Sequence, residues 1–174
     1  MSNYRRNFVE GGSFFFTVNL ADRRSGLLVD RIDLVRHAFR YTKSRHPFTI
    51  NAIVVLPDHL HAIWTLPSGD ADYATRWRLI KTVFSNAPKA AVSNVNVRSG
   101  SADIGSTRCE TKKILGRHCD YIHYNPVKHG HVKSAADWLY SSFRRFVRRG
   151  LYSADWGGVI GLEETAFGER GDKR

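Results

Sequence analysis

Hydrophobic and polar positions along this chain follow two rhythms, and the switches between them outline its elements. Phe14 to Leu20 is aromatic and β-branched behind the Gly11-Gly12 pair, which predicts a strand. Leu27 to Arg45 changes to helical spacing. Leu28, Ile32, Val35, Phe39 and, less regularly, Tyr41 recur there, with Arg31, Arg36, Arg40 and Lys43 between them, and Pro47 ends the run. Phe48 to Leu56 predicts a second strand. Pro57-Asp58 turns it tightly into a third, His59 to Leu66, in which His59, His61, Ile63 and Thr65 share one face. Strands joined so closely form an antiparallel hairpin. Asp72 to Asn86 returns to helix, with Trp77, Ile80 and Phe84 on one side.

Beyond that the pattern weakens. Lys89 to Gly116 is rich in Ser, Asn and Gly, and reads as a loop or as cover for a short strand. A helix follows from about Thr111 to Tyr124, ended by the restriction that Pro126 places on Asn125. Ala135 to Arg148 predicts a further helix bearing Trp138, Tyr140, Phe143 and Phe146, and the polar end from Glu163 reads as a fraying tail. The order strand, helix, strand, strand, helix predicts an α+β, ferredoxin-like split βαβ fold with an antiparallel sheet. A tyrosine-bearing helix and a C-terminal helical and irregular extension follow it. The expected organisation is one domain over 1–158, atypical over 89–116, with a flexible tail at 159–174.

Composition narrows the class. At 174 residues, 42% hydrophobic and 25% charged, the chain is not disordered, collagen-like or a membrane bundle. Lys and Arg total 27 against 16 Asp and Glu, a net charge of +11, which points to a polyanionic partner, nucleic acid first. Charge of this size can also serve solubility alone. No apolar run reaches the length of a membrane span, and the start lacks an apolar core after Arg5-Arg6, so the expected location is cytoplasmic. Cys109 and Cys119 then read as free thiols without the spacing of a structural zinc site.

Three features could carry chemistry. His59 and His61, at i and i+2 of a strand, stand about 7 Å apart along it and can both reach one divalent cation. Tyr121 and Asn125, at i and i+4, share a face if their helix extends that far. A phenol beside a metal-bound phosphate can act as nucleophile, and an amide oxygen can complete a metal shell. Tyr124 is the rival nucleophile on position alone. Basic residues interleaved with aromatics form the third feature: Arg144, Arg145, Arg148 and Arg149 around Phe143 and Phe146, then Arg5-Arg6 after Tyr4, Arg23-Arg24, and Arg76 and Arg78 around Trp77. Arginine pairs with phosphate, and rings stack on unpaired bases.

These pieces stand in a telling order. Tyr4-Arg5-Arg6, Gly11 to Thr17, Val54-Val55-Leu56-Pro57-Asp58-His59-Leu60-His61, Trp64 to Pro67, Arg76-Trp77, Lys81, and Asp120 through Gly130 together resemble the REP-associated tyrosine transposases, within the HUH group of single-strand DNA transposases. Asp137-Trp138, Ser141 to Phe143, Gly150 to Tyr152 and Asp155-Trp156 extend the resemblance over most of residues 4 to 158. It implies a ferredoxin-like catalytic fold, with Mg or Mn held by His59, His61 and Asn125, and Tyr121 as the nucleophile ahead of Tyr124. It implies a monomer acting on single-stranded DNA with REP hairpins, cut and rejoined through a 5′-phosphotyrosine. Lys81 and Lys128 join the arginines as expected DNA contacts. One stretch departs from the family. Asn94 to Gly116 replaces a run like Trp-Gln-x-Arg-Phe-Trp-Glu-His that forms the fourth strand, so that strand is expected to be missing. A hairpin-binding remnant without catalysis is therefore the alternative reading.

Overall fold

The computed structural model describes residues 9–86, 104–109 and 111–157. Four strands form one antiparallel sheet: β1 (Ser13–Asn19), β2 (Thr49–Val55), β3 (His59–Thr65) and β4 (Ile104–Arg108), in the order β2-β3-β1-β4. Helices α1 (Leu27–Asp30) and α2 (Ile32–Arg45) connect β1 to β2, with β3 lying between those strands. Helix α3 (Tyr73–Ser85) connects β3 to β4, with β1 between. Two interlocked split βαβ units result, the ferredoxin-like arrangement that the strand order predicts.

The expected loss of the fourth strand is corrected. β4 occupies the edge beside β1, with Phe14 opposite Arg108 and Val18 opposite Ile104. A strand of five residues with one apolar side chain and a glycine gives little periodic signal. Its pairing is supplied by the free edge of β1 rather than by its own propensity.

The sheet is buried on both faces, and alternation divides the work. Phe14, Phe16, Val18, Leu60, Ala62 and Trp64 face α2 and α3, where Val35, Ala38, Phe39, Trp77 and Ile80 complete the larger core. Trp64 and Trp77 stack there with centroids 4.3 Å apart. On the other face, Ala52, Val54, Leu56 and Ile63 meet Cys119 and Ile122 of α4 (Lys112–Lys128), with Phe15 packed alongside. A bulge between Ile50 and Ala52 shifts the parity of β2, so that Ile50 joins the larger core while Ala52 faces α4.

Three element boundaries differ from the sequence pattern. The 27–45 helix breaks at Arg31, whose backbone is non-helical, because the first turn is tied elsewhere: Leu28 N–H donates to the Pro57 carbonyl in the β2–β3 turn. Helix α4 runs through Pro126 instead of stopping before it. Gly130, in the left-handed region at φ 71°, closes its end, with Gly130 N–H bonded to Val127 and His131 N–H to Pro126. The third difference is Ala135 to Arg148, which is not one helix. A single 3₁₀ turn (Ala135–Asp137) leads through a turn at 139–140 and an isolated bridge of Ser141 to Val54, then into α5 (Phe143–Arg148).

The stretch over 138–142 covers the outer edge of β2. Val55 N–H donates to Tyr140, Ser142 N–H to Ile53, and Trp138 Nε1–H to Val55. The backbone groups of an edge strand outweigh the helical spacing of the aromatics. This stretch and the residues after α5 also grip α4. His123, fully buried, places Nε2 2.7 Å from Ser142 Oγ, which itself accepts from Ile53 N–H; the Tyr152 hydroxyl donates to Asp120 at 2.6 Å. Burial, with the Tyr152 hydrogen bond to Asp120, pushes the Tyr152 phenol well up. The tail at 159–174 lies outside the described residues.

Burial, seconded by the positive Arg145, lowers the His123 pKa from 6.5 to about 3. A histidine kept neutral in the fold contributes stability that is present above its unfolded pKa and lost as pH falls toward the folded one. Between pH 7 and pH 5 the protein should therefore lose about 2 kcal/mol more stability than a His123→Gln variant, read by urea unfolding at both pH values. Equal losses would mean that His123 is not held neutral.

Candidate active site

The central strand β3 builds one side of the site. His59 and His61 point to its α4 face, both buried, with ring centroids 5.0 Å apart. Each imidazole is oriented by a hydrogen bond at Nδ1. For His59 the partner is Asp58 Oδ1 at 2.7 Å; for His61 it is Thr17 Oγ1 at 2.9 Å, from the residue opposite it on β1. Any metal ligation by these rings would then fall to Nε2, the arrangement in which a supporting group fixes tautomer and ring angle. Asp58 is held in turn by Arg23, whose Nε donates at 2.6 Å while Nη1 reaches Asn19. Burial works against the Asp58 carboxylate, but the His59 hydrogen bond and the charges of His59 and Arg23 outweigh it, and its pKa falls below the usual range.

Helix α4 builds the other side. Its start is fixed by Thr111, whose hydroxyl accepts from Ile114 N–H. Cys119 and Ile122 anchor it on the sheet, which leaves Tyr121 against His61, with Asn125 one turn further along the same helix. The Tyr121 ring stands 5.2 Å from His61 and 6.0 Å from Phe15, which itself stacks on His61 at 5.5 Å. Lys128, two turns on, places Nζ 5.1 Å from the Tyr121 ring centroid. Asn125 is fully buried, and neither its amide oxygen nor its amide nitrogen has a hydrogen-bond partner among the described residues. A buried amide left unmatched is costly unless a ligand or water completes it. Tyr124, by contrast, lies by the C-terminal segment, its Cδ2 3.5 Å from where a β-carbon on Gly157 would stand.

The donor set therefore fits a divalent cation held by two oriented imidazoles and one amide oxygen. No group of three His, Cys, Asp or Glu side chains converges among the described residues. The remaining coordination would come from water and substrate phosphate, as hard cations commonly arrange.

The expected DNA contacts divide. Lys128 lies at the site. Arg144, Arg148 and Arg149 are exposed on or beside α5. Arg78, exposed, and Lys81, half-buried, lie on α3, across the sheet from the histidines. Arg5 and Arg6 lie outside the described residues. Arg76 is corrected: it is 2% exposed and donates to both Asp70 carboxylate oxygens and to the carbonyls of His46, Pro47 and Asp72, so its guanidinium ties α3 to neighbouring loops. Arg145 is largely committed as well, bonding the carbonyls of Ile50 and Asn51 at the β2 bulge. Cys109 and Cys119 are free thiols that burial pushes up to about 11 and about 12, which makes them inert.

Sequence reasoning missed the supporting groups Thr17, Asp58 and Phe15, and His129, whose ring stands 5.2 Å from His59 at the end of α4. The signal for Thr17 and Phe15 was the pairing of β1 with β3, which no local window contains. For Asp58 it was adjacency to His59.

Comparisons with known proteins concern the chain as a whole. No family model matches the chain. A REP-associated tyrosine transposase of Escherichia coli K12 is 47% identical over 171 residues, 98% of each chain. A protein of Haemophilus influenzae described as a putative REP-associated tyrosine transposase is 42% identical, covering 91% of this chain and 94% of its own. Among solved structures, a REP-associated tyrosine transposase bound to a REP hairpin superposes with a TM-score of 0.80 at 47% identity, covering 90% of this chain and 91% of that one.

Asp58→Asn should weaken Mn²⁺ binding to the DNA-free protein by about tenfold or more, because an oriented imidazole loses its carboxylate support. Calorimetric titration reads this directly. An unchanged affinity would separate Asp58 and His59 from any metal centre.

Proposed function

This chain belongs to the REP-associated tyrosine transposase family, and from that premise we propose that it cuts and rejoins single-stranded DNA beside REP-type hairpins. One observation carries the proposal: α4 sets the Tyr121 ring against His61 and buries the unmatched Asn125 amide one turn further on.

In this reading Tyr121 is the nucleophile. Its hydroxyl oxygen bonds to the scissile phosphorus as the bond to the 3′ oxygen breaks. The phenol gives up its proton and the leaving oxygen takes one up as a 3′-OH. The 5′-phosphotyrosine keeps the energy of the phosphodiester, so rejoining by a 3′-OH needs no nucleotide cofactor. His59, His61 and Asn125 would hold Mg or Mn, which supplies polarisation of the phosphate and charge stabilisation at the leaving oxygen. Asp58 and Thr17 keep both imidazoles in one tautomer and angle. Phe15 walls the Tyr121 ring on the β1 side and limits its freedom before attack. Lys128 offers its ammonium to phosphate beside the nucleophile, while Arg144, Arg148 and Arg149 track the backbone of the bound strand, joined by Arg5 and Arg6.

The protein is proposed to act as a monomer, one catalytic domain over 1–158, in the cytoplasm with the nucleoid DNA. Among the described residues no helix is long and apolar enough to cross a membrane. The alternative, a hairpin-binding remnant, rested on a missing fourth strand, and β4 takes that place beside β1.

Incubation with a hairpin-bearing single strand and Mg²⁺ or Mn²⁺ should give a covalent protein–DNA adduct on a denaturing gel. Tyr121→Phe should abolish it and Tyr124→Phe should retain it. Hairpin binding without adduct in the native chain would overturn the catalytic reading in favour of the remnant.

A further inference from the structure

Helix α2 lies across the sheet from the histidines and Tyr121, and its outward face is a basic stripe with no part in the site. Val35, Ala38, Phe39 and Thr42 are buried. Arg36, Arg40 and Lys43 are exposed, and at 100° per residue they fall within about 60° of arc. Asp33 is the one acidic residue of the helix, and it pairs with Arg31 at 4.0 Å. None of Arg36, Arg40 or Lys43 takes part in an ion pair among the described residues. Beside the stripe, Arg45 stacks its guanidinium 3.5 Å over the Tyr41 ring. Exposed Arg78 of the neighbouring α3 stands on the same side of the sheet.

A run of charges on a helix is commonly just a solvated face. Three properties set this one apart. It is uncompensated, so its repulsion costs stability unless an anion answers it. It has a phosphate-like length: residues 36 to 43 rise about 10 Å along the helix, about three phosphate-to-phosphate steps along one strand of a duplex. It also lacks the apolar flank of a membrane-surface helix. The exposed large hydrophobics among the described residues, Leu139 and Leu151, belong to the C-terminal segment rather than α2.

We propose that the outer face of α2, through Arg36, Arg40 and Lys43, is a second DNA-binding surface that takes the phosphate backbone of duplex DNA, while the opposite face of the sheet holds the hairpin strand. The inference rests on the DNA-processing reading of the α4 face. One molecule would then hold two DNA segments, one on each side of its sheet, and could stay on host duplex without releasing the hairpin. Backbone contacts of this kind carry no sequence information, so the duplex bound would be any duplex.

The test uses the full chain and a triple variant, Arg36→Gln, Arg40→Gln and Lys43→Gln, in which every changed side chain is exposed. The probe is a hairpin-free duplex of about 20 base pairs, long enough for non-specific backbone binding. With the hairpin strand immobilised, the native protein should retain labelled duplex on it. The variant should retain at least about tenfold less, and the slope of log affinity for duplex against log salt should fall by about 2 to 3, near one unit for each phosphate no longer neutralised. Adduct formation with the hairpin strand should be unchanged in the variant. Duplex retention and salt slope equal to those of the native chain would overturn the proposal. If the native chain forms no adduct yet its duplex binding falls on substitution, the catalytic reading fails while this surface stands.

Discussion

Everything at this site depends on β3 being buried on both faces. A strand in that position has no solvent side, so its two sets of alternate residues must each match a packed partner. Leu60, Ala62 and Trp64 meet the aromatic core under α2 and α3. His59 and His61 must then be satisfied inside the protein, and each is oriented there: by Asp58 at the turn and by Thr17 across the ladder. A slip of one residue in register would exchange the two sets, placing imidazoles in the hydrophobic core and indole against α4. The register that stabilises the fold is therefore the register that fixes the histidine pair.

Helix α4 needs a different kind of support. Its apolar contact with the sheet is small, resting on Cys119 and Ile122 with Leu115 at the margin. The segment after it supplies the rest. It closes the β2 edge by backbone pairing and holds α4 through His123 to Ser142 and Asp120 to Tyr152. Phe143, Tyr152 and Trp156 stack beside these hydrogen bonds. The C-terminal extension thus acts as a strap that sets the height and rotation of the tyrosine helix over the histidines. Catalysis by a positioned nucleophile is sensitive to shifts of about an ångström, so this strap belongs to the functional architecture through its hold on α4.

What the sequence made legible follows from how local each signal is. The β2–β3 hairpin and its histidine face were readable from alternation alone, and the i, i+4 relation of Tyr121 and Asn125 from helical spacing. Non-local features were not. β4 has little pattern of its own and is held by β1. The Trp138 to Ser142 stretch carries helical aromatic spacing but answers to unpaired backbone on β2. Pro126 reads as a stop, yet the glycine turn at Gly130 and the packing of α4 carry the helix past it. Arg76 and Arg78 look alike in a basic, aromatic run, but only Arg78 points outward; Arg76 is drawn in by Asp70 and three carbonyls.

Helix α4 presents one particular phenol, that of Tyr121, to His61. Peptide mapping by mass spectrometry of the protein trapped on a hairpin-bearing strand tests it most directly. The added nucleotide mass is expected on Tyr121. Modification at Tyr124, or at a tyrosine outside α4, would contradict it.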